Sequence, residues 1–197
     1  SDVETWGDLR EEWAGEPWGD EEIDLYGRDS ASGTFDYFTQ AINGEYGNIR
    51  SDYSASADTN VIVRGVRGNR HALGFGGAGY YYENEDDLKL VAVDDDNGGV
   101  RPTRETIESG EYTPLSRPMF VYFDLNQLDR PEFRAFAEFY FEPIDDDADE
   151  SVVDPGETLT WTQWAARKVG YYAIPDETVT ESRERLTDAL ARIEGDE

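Results

Sequence analysis

An α/β fold is predicted, and three observations predict it. A short run with strand alternation, Ile23, Leu25 and Tyr26, passes through Ser32-Gly33-Thr34 into a run of helical period, Phe35, Phe38, Ala41 and Ile42. A helical pattern over 58–67 is followed by Leu88, Leu90, Val91, Ala92 and Val93, which read as a mostly buried strand. With 38% hydrophobic and 13% aromatic residues, a chain of 197 residues can bury one substantial core or two small ones.

Charge excludes several partners. Forty-five acidic residues against seventeen basic ones give a formal net charge of -28, which repels nucleic-acid phosphates and anionic lipid surfaces. No polynucleotide partner is expected. Lysine occurs only at Lys89 and Lys168, and this acidic, lysine-poor composition resembles that of proteins from extreme halophiles. At molar salt the Debye length is about 3 Å, so an anion is recognised by the groups that touch it. Without cysteine there is no disulfide or thiolate chemistry. No run of about eighteen apolar residues is present to span a membrane, and residues 1–20 are too acidic for a signal peptide. Any export signal or anchor is therefore expected outside this sequence.

In chain order, Trp6, Leu9 and Trp13 stand at helical spacing before a Gly-Glu-Pro break and predict an amphipathic helix. The strand and helix around Ser32 come next. Residues 43–56 are polar and turn-rich; the helix after them is expected to place Val61, Ile62 and Val66 on one side, with Arg64 and Arg67 on its solvated face. The segment 69–82 holds four glycines and three consecutive tyrosines, and its GFGGAG fits neither a dinucleotide fingerprint nor a P-loop. His71, the only histidine, has no second histidine, cysteine or Ser/Asp partner at a recognisable spacing, so it is assigned a structural role.

Asp94, Asp96, Gly99 and Glu105 faintly echo a calcium loop, but an oxygen ligand is missing and a strand precedes it, so a solvated acidic turn is expected. Thr103 caps a short helix that Gly110 stops. Residues 114–124 read as a strand with Met119, Val121 and Phe123 on one face and Phe120 and Tyr122 on the other. From Asn126 onward the chain reads as helical. One stripe is Phe133, Phe136, Ala137, Tyr140 and Phe141, another is Trp161, Trp164, Ala165 and Val169, and an acidic loop over 145–157 lies between them.

The junction at Ser32 carries the chemistry. The first N–H groups of a helix lack partners, the helix dipole puts partial positive charge there, and Gly33 allows close approach of an oxyanion. Ser32 and Thr34 add hydroxyls. Arg28, four residues earlier, offers a planar fork of donors suited to two oxygens of a tetrahedral anion, with Asp29 or Asp36 available to hold it. The plainer alternative is that Ser32 merely caps the helix and Arg28 is a surface residue.

The run GRDSASGTFDYF resembles the phosphate-binding signature of the PstS family, the substrate-binding proteins of phosphate ABC transporters. NRHALGFGGAGYYY, LKLVAVD with PTRETIESGEY, and PLSRPMFVYF match the same family in the same order, and together these stretches cover most of residues 23–123. The resemblance implies a periplasmic-binding-protein-like, type II, two-lobed α/β fold. Residues 1–20 would be a linker helix and crossover, 21–113 the second lobe with half of the anion site, and 114–197 the returning strand and C-terminal helices of the first lobe.

It further implies that Arg28, Ser32, Gly33 and Thr34 bind inorganic phosphate. The protein would be the solute-binding component of an ABC importer, working with a membrane permease at the extracellular face, without cofactor, metal or catalysis. The family's usual first-lobe segment has no counterpart here, so the chain is expected to be a fragment, with a homodimer through the surfaces left open. Two alternatives remain: a phosphate-ester hydrolase with Ser32 as nucleophile, and a binder of another tetrahedral oxyanion.

Overall fold

The structure, a computed structural model, describes residues 3–94, 96, 98–145 and 148–195. It divides into two compact units, Ser1–Val91 and Ala92–Glu197.

The first unit is built on a parallel three-stranded sheet in the order β2-β1-β3. Its strands are β1 (Asp24–Arg28), β2 (Ser54–Ser56) and β3 (Ala72–Gly74). Parallel neighbours need a crossover, and helices α2 (Gly33–Asn43) and α3 (Thr59–Gly68) supply the two that join them. α1 (Trp6–Leu9) precedes the sheet and α4 (Gly79–Tyr82) follows it. The core is formed by Phe35 and Thr39 of α2 with Ile62 and Val63 of α3. Val61, expected to face inward, is 42% exposed, and Val63 takes its place at the interior position.

Close packing explains one glycine of the motif. A Cβ at Gly27 would lie 2.2 Å from Cε1 of Phe75, whose ring stacks on Phe38 at 4.0 Å between centroids. Only a residue without a side chain lets that stack lie against β1. At the far end of α2 the chain reverses through Gly44, whose φ of 74° is left-handed and closes the helix onto the Gln40 carbonyl.

The expected helix over the early tryptophans is not continuous. α1 has four residues, a 3₁₀ turn follows at Glu11–Trp13, and Leu9 is 47% exposed. The chain doubles back instead: the Gly7 N–H donates to the Gly19 carbonyl at 2.7 Å. Trp6, Trp13 and Trp18 thereby form a cluster with neighbouring rings 5.5 to 6.4 Å apart.

In the second unit a minimal antiparallel hairpin, β4 (Val93–Asp94) and β5 (Gly99–Val100), is followed by helices. These are α5 (Arg104–Glu108), α6 (Pro131–Phe139), α7 (Trp161–Lys168) and α8 (Asp176–Gly195). Leu128, Ala137 and Leu190 form a core, with Phe123, Phe133, Leu186 and Ile193 packed around it. Thr103 caps α5 as predicted, and Gly110 has a positive φ just beyond its end. Arg167, with 6% of its side chain exposed, lies between Glu108 (2.9 Å) and Glu157 (2.6 Å), and Glu108 also accepts the Ala173 N–H at 2.9 Å.

Three expectations for residues 88–169 are corrected. Only Val93 of the apolar run 88–93 enters a strand, and Val91 is 60% exposed. Residues 114–124 form no ladder, and Met119, Phe120, Val121 and Tyr122 are 65%, 66%, 56% and 87% exposed. Alternation gives a strand its faces, but a strand exists only where a neighbour accepts its hydrogen bonds. On α7, Val169 is exposed and Gln163 is buried, because the Gln163 amide caps the helix start and reaches the Ile174 carbonyl at 3.0 Å. No described helix is long and apolar enough to cross a membrane.

Candidate anion site

Two strand-to-helix junctions stand side by side at the carboxyl edge of the sheet. β1 ends at Arg28 and leads to the N-cap Ser32; β2 ends at Ser56 and leads to the N-cap Asp58, with Thr59 opening α3. The ladder pairs Arg28 with Ser56, which sets the two junctions next to each other. Such an edge is the place where parallel α/β sheets bind ligands. The turn 28–32 is pinned by its own hydrogen bonds. Tyr53 donates its hydroxyl to the Arg28 carbonyl at 3.0 Å, Asp29 Oδ1 accepts the Ala31 N–H at 3.3 Å, and Ser32 N–H donates to the Asp29 carbonyl at 3.1 Å. Burial, with the Asp29 charge adding to it, pushes the Tyr53 phenol above its ordinary value, so it stays protonated as the donor.

The Arg28 side chain is half-buried and held by Thr59: Nη1 donates to Thr59 Oγ1 at 2.5 Å. Its Nε is shielded from solvent and has no acceptor among the described residues. Neither Asp29 nor Asp36, the holders expected from sequence, reaches it; among the described residues Arg28 has no carboxylate within 4.0 Å. Arg50, by contrast, is clamped by both oxygens of Asp52 at 2.6 Å, which holds that carboxyl down at about 2.

Ser32 is 8% exposed, and its Oγ accepts the Thr34 N–H at 3.2 Å. The cap thus already occupies one amide that the sequence reading had given to the anion. The hydroxyl keeps its own hydrogen, which remains available to donate. Gly33 is exposed at the helix mouth and Thr34 is half-buried beside it. Arg28, Ser32, Gly33 and Thr34 are therefore all carried by one junction, from the end of β1 to the first turn of α2.

Thr59 was missed by sequence reasoning. Its signal was present as a second N-cap, Asp58, before a helical pattern, but the strand ahead of it is Ser54-Ala55-Ser56, which carries no apolar alternation. Other sequence candidates fall away from the site. Arg64 and Arg67 are exposed, and Arg67 pairs with Asp87 at 2.8 Å. His71 uses its backbone, donating to Asn69 Oδ1 at 2.8 Å and accepting the Asp24 N–H at 3.3 Å. In the acidic turn Asp94 Oδ1 accepts the N–H groups of Asp96 and Gly98; Asp95 and Asn97 lie outside the described residues. Of the acidic run 145–150, residues 146 and 147 also lie outside them. Among the described residues no group of three or more His, Asp or Glu is placed to hold a metal ion.

A parallel α/β sheet whose carboxyl edge presents a helix mouth and, among the described residues, an arginine without a carboxylate partner is an arrangement able to hold an anion. A family profile described as the PBP superfamily domain matches residues 2–143, and the chain belongs to that family. It is 39% identical over 173 residues to Protein SphX of Synechocystis, an alignment covering 87% of this chain and 45% of that protein. With the phosphate-binding protein PstS of Staphylococcus saprophyticus it shares 33% identity over 192 residues, 96% of this chain and 52% of the relative. A crystal structure of a possible phosphate binding protein from Planctomyces limnophilus superposes with a TM-score of 0.67 at 38% identity, covering 96% of this chain and 60% of that one. The chain spans about half the length of the curated relatives it matches.

Proposed function

We propose that the chain binds inorganic phosphate through Arg28, Ser32, Gly33 and Thr34, as part of the extracellular solute-binding component of an ABC phosphate importer. The observation that carries this reading is the guanidinium of Arg28. In a protein of net charge -28 it is half-buried and lacks a carboxylate within 4.0 Å among the described residues, and one of its donors is shielded without an acceptor. A buried orphan donor costs about 1–3 kcal/mol, and an oxyanion offers the acceptor that removes that cost. Arg28 takes two phosphate oxygens, Ser32 and Thr34 donate their hydroxyls, and the Gly33 N–H points from the helix mouth. The names of the relatives support phosphate over other tetrahedral anions. A membrane permease is the partner that would receive the ligand.

Hydrolysis of phosphate esters by Ser32 is disfavoured. Among the described residues its Oγ bonds to the Thr34 N–H and to no histidine or carboxylate that could act as base. Calorimetry with phosphate and with sulfate, beside a turnover assay on a generic phosphate ester with Ser32→Ala as control, tests the proposal. Stoichiometric phosphate binding without turnover is expected; turnover abolished by Ser32→Ala would replace binding with catalysis.

A further inference from the structure

Resting on that phosphate reading, we infer that Thr59 is a positioning residue of the anion site, a neutral acceptor that fixes the Arg28 guanidinium without discharging it. Three observations meet here. Thr59 Oγ1 accepts from Arg28 Nη1 at 2.5 Å across 31 residues of sequence. Thr59 is itself immobile: it is 4% exposed, sits at the first position of α3, and its Cγ2 lies 3.3 Å from where a Cβ on Gly76 would stand. The two acidic side chains closest along the chain are committed elsewhere, Asp29 to the Ala31 N–H and Asp58 to the Asn60 N–H at 2.9 Å.

The choice of a hydroxyl has an electrostatic meaning. Forty-five acidic residues make carboxylates the commonest side-chain acceptors in this chain, and elsewhere in it they hold arginines, as Asp52 holds Arg50 and Glu108 and Glu157 hold Arg167. A carboxylate at position 59 would neutralise the charge an anion needs and occupy the fork with an anion of its own. Threonine satisfies one of the five N–H donors and leaves the charge and the remaining donors for the ligand. Holding the long side chain in place before binding also removes the cost of ordering it afterwards.

The test uses this chain, with inorganic phosphate titrated by calorimetry and by the ¹⁵N-resolved Nε–H resonance of Arg28, assigned by its loss in Arg28→Lys. Thr59→Val, nearly the same shape, is expected to weaken phosphate about tenfold, as expected for one long side chain left unordered, and to shift the Nε–H resonance of the free protein. Thr59→Ser restores affinity to within about twofold, and Thr59→Asp abolishes binding; urea unfolding confirms that each variant folds. Phosphate affinity unchanged in Thr59→Val, or unrecovered in Thr59→Ser, overturns the role of Thr59. If Arg28→Ala still loses phosphate in that case, the phosphate reading stands alone; if the unsubstituted chain binds no phosphate, both fall.

Discussion

Replacing Arg28 by alanine removes the one side chain among the four proposed anion-binding residues that carries a full positive charge. The hydrogen bond to Thr59 disappears from the free and the bound protein alike, so it cancels in the binding free energy. What remains is the loss of the contacts to phosphate. A hydrogen bond to a charged group contributes about 1.5–3 kcal/mol, and a bidentate pair lost to alanine should weaken binding by at least about 2 kcal/mol. At 1.4 kcal/mol per decade that is roughly thirtyfold in Kd. Arg28→Lys keeps the charge but not the fork, and should fall between the two. Isothermal titration with inorganic phosphate, repeated at low and at molar salt, reads the difference. Because the lost contact is direct, the ratio between wild type and Arg28→Ala should change little with salt. A Kd within threefold of wild type for Arg28→Ala would remove the guanidinium from the site and end the reasoning.

Long-range repulsion predicts that phosphate associates faster as salt rises, since the net charge is -28; a stopped-flow rate constant that falls with salt contradicts this. Gly27→Ala drives a Cβ to 2.2 Å from Phe75 and should cost about 1–3 kcal/mol in urea unfolding by overpacking. Arg167→Met takes from Glu108 and Glu157 their closest cation and leaves them only Arg104, at 3.4 and 3.9 Å, and should destabilise the chain by about 1.5–3 kcal/mol, the range for lost hydrogen bonds to charged groups. Burial opposes ionisation of Glu108, but the Arg167 and Ala173 hydrogen bonds outweigh it and lower its pKa, and the Arg167 hydrogen bond lowers that of Glu157. Both groups therefore lend stability that is full above about pH 4.5, their ordinary value, and is lost as pH falls through the lower folded values. Unfolding followed against pH should show a steeper acid loss in wild type than in Arg167→Met.

Local chemistry was legible and long-range pairing was not. The cap at Ser32, the helix after it and the placement of Arg28 at a strand end all follow from neighbours within a few residues, as does the cap at Thr103. The holder of Arg28 was misread because Asp29 and Asp36 are near in sequence, whereas Thr59 is near only after β2 pairs with β1. β2 itself has no apolar residue larger than Ala55 to announce it. The runs 88–92 and 114–124 failed in the opposite sense: their patterns are strand-like, yet they lack the pairing that makes a strand. At α1, the reversal that joins Gly7 to Gly19 is set by backbone contacts, which no side-chain periodicity records.

The bare stretch Met119–Tyr122 gives the protein an ionic-strength window for handling. In dilute buffer the like charge on every molecule acts as a colloidal barrier that keeps these greasy segments apart. Concentrated electrolyte collapses that barrier to a few ångströms while strengthening apolar contact. Light scattering against salt concentration should therefore pass from dispersed particles to clusters, and an aspartate introduced at Val121 should move the onset to higher salt.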